Sequence, residues 1–183
     1  MESLGVEMKR PHAIVWSLAG LLAGAVGWLA GGLVGSNMGR TVLAATAIAA
    51  VVGLLARRLR LALVAALVTA AAASLAYFVG LSVITPLMAW PATGLVIGLC
   101  CLPLFGRTRA RVATIVAAPL VGSLGFFLGM VATNFAGMAM NDARLVNHML
   151  GGGAAGFGLL TLTTIRLLGA RLDRVAAPKG GAA

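Results

Sequence analysis

Residues Ala13–Gly35 read AIVWSLAGLLAGAVGWLAGGLVG, about 23 residues without a charge, with Lys9 and Arg10 just before them. A helix rises about 1.5 Å per residue and the hydrocarbon core of a bilayer is about 30 Å thick, so a run of roughly 20 apolar residues crosses it. The run also exceeds the apolar core of a signal peptide, about 7–15 residues, and is read as an uncleaved first span. A barrel strand would alternate apolar and polar residues over about ten positions, and nothing here alternates. The first span is therefore a helix, because only a helix satisfies its own backbone polar groups in lipid.

Five further runs follow: Thr41–Ala56, Leu61–Ile84, Pro86–Phe105, Val112–Ala136 and Leu145–Ile165. The second is short. The breaks between runs are polar: SNMGR at Ser36–Arg40, RRLR at Arg57–Arg60, Thr85–Pro86, GRTRAR at Gly106–Arg111, and NFAGMAMNDAR at Asn134–Arg144. The expected fold is an all-α membrane protein, a polytopic bundle of six transmembrane helices. Residues 1–12 form an N-terminal cytoplasmic segment, 13–168 the membrane domain, and 169–183 a basic cytoplasmic tail expected to be largely disordered.

Composition supports lipid as the solvent. Of 183 residues 61% are hydrophobic and 10% charged, against about 25% charged in a soluble domain. The net charge of +10 would fit a nucleic-acid partner, but the basic residues form short clusters between apolar runs and lack interleaved aromatics, so no nucleic-acid face is expected.

Those charges sort by side instead. With six spans and the N-terminus inside, Lys9, Arg10, Arg57, Arg58, Arg60, Arg107, Arg109, Arg111, Arg166, Arg171, Arg174 and Lys179 share one side, leaving Arg40 and Arg144 on the other. Basic residues favour cytoplasmic loops, which places both termini in the cytoplasm and the chain in a cytoplasmic (inner) membrane. Trp16, Tyr77 and Trp90 are expected as interfacial anchors, and the deeper Trp28 as a packing residue.

Glycine spacing is the strongest local pattern. Gly20, Gly24, Gly27, Gly31 and Gly35 occupy the first span, Gly122, Gly125 and Gly129 the fifth, and Gly152 and Gly156 the sixth. Spacings of three and four keep glycines on one helix face, where two backbones can approach closely. Two uses stand open: packing within the bundle, or a face for another subunit or a second copy. Gly24/Gly27/Gly31 and Gly122/Gly125/Gly129 share a three-then-four spacing, which hints at an internal repeat.

Two groups are candidates for chemistry. Asn37, Arg40, Asn134, Asn141, Asp142, Arg144, Asn147 and His148 fall on the extracytoplasmic side, where they either bind a small polar solute or simply meet water. Cys100 and Cys101 lie in LCCLPLF at Leu99–Phe105, a seven-residue stretch that is similar to one in the mercury-uptake inner-membrane proteins. That resemblance implies handling of a soft metal ion; against it, adjacent cysteines also serve as small packing residues. Pro91 and Pro119 would kink their helices. The only acids are Glu2, Glu7, Asp142 and Asp173, none inside a span, which excludes an ion relay through a buried carboxylate. No hydrolase or nucleotide-binding motif is present and no cofactor is expected.

Three function classes follow. The first is a subunit or accessory component of a larger membrane assembly, docking through glycine-lined faces or by self-association. The second is a small-solute transporter, channel or substrate-binding subunit; in outline the chain resembles the vitamin-binding subunits of energy-coupling-factor transporters. A membrane enzyme is third.

Overall fold

A computed structural model describes residues 12–79, 85–105, 108–136 and 142–174. It contains six α-helices: α1 (Ala13–Gly31), α2 (Asn37–Leu55), α3 (Leu59–Val79), α4 (Thr85–Cys100), α5 (Thr108–Ala136) and α6 (Asp142–Arg174). Each helix packs on its chain neighbours, and α6 also packs extensively on α1, so the helices form a closed ring. Lighter contacts among α2, α4 and α6 close its middle.

Glycine contacts give the register. Gly20 faces Gly158 and Gly24 faces Ala154, so four residues forward on α1 correspond to four residues back on α6. The two helices are antiparallel. The same holds for α5 and α6, where Gly125 meets Gly156 and Gly129 meets Gly152, and for α1 and α2, where Gly27 meets Ala44 and Gly31 meets Arg40. A Cβ at Gly24 would stand 2.7 Å from the Ala154 carbonyl carbon, and one at Gly27 2.6 Å from the Ala44 Cα. Lipid tails are as apolar as leucine, so such close backbone packing is a main source of helix association in a membrane. The shared spacing of the first and fifth spans does not extend to partners. Gly27 and Gly31 lie against α2, whereas Gly122, Gly125 and Gly129 all lie against α6.

The outward faces are apolar. Ile14, Leu18, Leu22, Val26, Leu29 and Leu33 are exposed along the first span; Val112, Val116, Leu120, Leu124 and Leu128 are exposed along α5. Patches of this size on a water-soluble protein would drive aggregation. Five helices are long and apolar enough to cross a membrane: Ala13–Val34, Asn37–Leu55, Leu59–Ala76, Thr108–Phe135 and Leu145–Gly169. This is a multi-pass, membrane-embedded helical protein.

Several boundaries differ from those expected. The break at SNMGR moves back: Gly32–Val34 form a 3-10 turn, Gly35 takes a left-handed φ of 74°, and α2 begins at Asn37. Ser36 caps α2, its Oγ accepting from the Gly39 N–H at 3.0 Å. The second run therefore gains a turn, becoming a 19-residue helix about 28 Å long. The fourth run is the shorter one. Its α-helix ends at Cys100 and passes into a 3-10 turn at Leu102–Leu104. Pro103 has no N–H and its ring clashes with the preceding turn, which explains the break. At the other end α6 continues to Arg174, so residues 169–174 extend the helix rather than begin the tail. Residues 80–84, expected at the end of the third span, lie outside the described residues, as do 1–11 and 175–183.

Trp90 is also placed differently. It is 1% exposed, stacks on Phe126 at 5.0 Å and meets Phe157 in a tilted contact at 4.8 Å between ring centroids, so it is a core residue and not an interfacial anchor. Ile48, Val52, Ile97, Leu162 and Ile165 complete this interior.

Candidate functional site

The two ends of the ring carry different chemistry. At the end where α1 turns into α2, Arg40 lies over the Trp28 ring at 5.8 Å, within cation–π range. Trp28 is buried and lies against Gly151, where a Cβ would meet its Cδ1 at 2.9 Å. The pair thus ties α2 to α1 and α6. Thr133, on α5 beside Asn134, fills the space at Gly152, and its hydroxyl donates to the Gly129 carbonyl at 2.8 Å.

Five of the expected polar residues are described at this end. Asn37 and His148 are exposed, while Arg40, Asn134 and Asn147 are half-buried. Among the described residues no hydrogen bond or ion pair joins these five. Asp142 and Arg144 lie in the first turn of α6, but their side chains, like Asn141, fall outside the described residues.

Cys101 is buried in the core, and Cys100 is half-buried; both are free thiols. Consecutive helical positions point about 100° apart, so the two side chains diverge. Among the described residues no three of His, Cys, Asp and Glu gather into a potential metal site.

The opposite end collects Arg57, Arg58 and Arg60 from the α2–α3 turn, Arg109 and Arg111 from the start of α5, and Arg166 from α6. Ser17 and Thr163 meet at 2.6 Å, which sets the level of Arg166 close to the start of α1. Here two turns are tied together. Arg58 Nη1 donates to the Pro103 carbonyl at 3.1 Å, and Arg111 Nε donates to the Phe105 carbonyl at 2.9 Å. Phe105 is buried, and a Cβ on Gly169 of α6 would stand 3.2 Å from its ring. The Pro103–Phe105 connector is thus held by α2–α3, α5 and α6 together.

Sequence reading treated these arginines only as a topology signal. Their positions within the first turns of α3 and α5 carried a second signal, since a helix N-terminus favours anions over cations. The chain matches no family model, no curated protein and no solved structure.

Proposed function

We propose that this protein is a six-span component of a larger assembly in the cytoplasmic (inner) membrane, both termini cytoplasmic, acting by packing against partner helices. The observation that carries this reading is the aromatic plug: Trp90 packs between Phe126 and Phe157, stacked on the first and tilted against the second, and each is at most 1% exposed. A solute path would need polar groups through this level. Among the buried threonines, Thr93 donates to the Ala89 carbonyl at 2.8 Å and Thr114 to the Ala110 carbonyl at 2.9 Å, while the Thr69 and Thr161 hydroxyls have no partner among the described residues. Such back-bonding satisfies the Thr93 and Thr114 hydroxyls locally.

The charge distribution supports the orientation, since basic residues concentrate at the end expected to face the cytoplasm. The fourth span is α4, the shortest α-helix of the six, continued by its 3-10 turn and bounded by the basic connector that anchors it. Glycines of α1, α5 and α6 face helices of the same chain, so contacts with partners fall to the outward apolar faces of α1, α3 and α5. Purification in mild detergent followed by mass spectrometry tests the reading. Distinct membrane subunits should copurify in a fixed ratio; a lone, monodisperse chain would sink it.

A further inference from the structure

The basic end places cations where helices disfavour them. Arg60 lies in the first turn of α3, and Arg109 and Arg111 lie in the first turn of α5, with no acidic residue in either turn. Each N-terminus already bears the positive end of its helix dipole, and arginine there adds like charge. An anion would relieve the repulsion.

Geometry concentrates the charge further. Arg58 and Arg111 reach from different hairpins to carbonyls only two residues apart, those of Pro103 and Phe105. Each guanidinium commits one N–H there out of five donors. Below this point α4 offers an apolar stripe: Leu95 and Leu99 are four residues apart and both exposed, and the exposed Pro103 follows in the 3-10 turn. Residues at this spacing share one helix face. A charged seat therefore sits directly on an apolar track.

We propose that Arg58 and Arg111, flanked by Arg60 and Arg109, bind the phosphate headgroup of an anionic phospholipid whose acyl chains run along Leu99 and Leu95 on α4. Arginine suits this role because its planar fork pairs with phosphate oxygens in a bidentate manner. Basic pockets between helices on the cytoplasmic side are suited to anionic headgroups, each cation near the surface contributing about fivefold in binding.

Native mass spectrometry on the full chain in neutral, delipidated detergent tests this. Phosphatidylglycerol, phosphatidylcholine and free glycerol phosphate are titrated separately. Phosphatidylglycerol should bind about tenfold or more tighter than phosphatidylcholine, and R58A/R111A should weaken it on the order of twentyfold. R40A, at the opposite end, should leave it unchanged. Equal retention of the two lipids, or unaltered phosphatidylglycerol binding by R58A/R111A, overturns the proposal. Glycerol phosphate binding as tightly as the lipid would overturn it in favour of a soluble phosphate ester. If R58A/R111A does not fold, photoactivatable phosphatidylglycerol on the unaltered chain should crosslink within residues 95–111. Crosslinks confined to other segments would overturn it equally.

Discussion

Gly20 of α1 and Gly158 of α6 face each other reciprocally: a Cβ on either would collide with the carbonyl oxygen of the other. This contact joins the first helix to the last and closes the ring. The obstacle is backbone, which cannot rotate away as a side chain does. Gly20→Leu or Gly158→Leu should therefore destabilise the protein by about 1–3 kcal/mol, the usual cost of overpacking. Thermal unfolding in detergent checks it, with the outward Leu22→Ile as a control that stays within about 0.5 kcal/mol. Equal stability of G158L and L22I would contradict the seam.

Trp90 fills the middle of the bundle. Trp90→Ala removes a side chain that packs against two phenylalanines, and the cavity left between α4, α5 and α6 should cost about 3 kcal/mol or more. Trp90→Phe keeps part of the stack and should cost less. Denaturant titration of the two variants distinguishes a core residue from an interfacial anchor, for which both substitutions would be mild.

Ser17 and Thr163 join α1 to α6 near the basic end. Each hydroxyl also lies within bonding distance of its own i−4 carbonyl, Ala13 at 2.9 Å and Leu159 at 2.6 Å. With one proton apiece, one hydroxyl donates to its carbonyl and the other donates across the seam. A double-mutant cycle with Ser17→Ala and Thr163→Val should give a coupling of about 0.6 kcal/mol, typical of interhelical hydrogen bonds in membranes. Strictly additive losses would mean the two residues act separately.

Topology can be read directly. Reporter fusions at Arg40, Thr85 and Asp142 should all signal an extracytoplasmic location, and fusions at Arg58 and Arg109 a cytoplasmic one. A cytoplasmic signal at Thr85 alone would show that α4, with its 16 α-helical residues, fails to cross.

Helix existence was legible because apolar run length and the spacing of charged breaks are local properties. The cap at Ser36 was less so. Asn37–Arg40 carry turn-forming residues, yet the side chain of Ser36 satisfies a backbone N–H of the first turn and lets the helix begin among them. Trp90 was misread because an aromatic near a helix end suits either an interface or a core, and only packing against Phe126 and Phe157 separates the two. The polar group around Arg40 was legible as one end of the bundle; that no hydrogen bond joins Asn37, Arg40, Asn134, Asn147 and His148 among the described residues was not.

The sequence by itself determined that this chain lives in lipid as a set of helices, and that its basic residues fall on alternate connections. Those facts follow from hydrophobic length and from charge counted along the chain. Tertiary structure alone decided which helices touch, because a glycine specifies close approach without naming the backbone that approaches. It therefore decided that α6 lies between α1 and α5. It likewise decided that the arginines of two separate hairpins meet at Pro103 and Phe105, since an arginine's partner depends on a ring closed by contacts far apart in the chain.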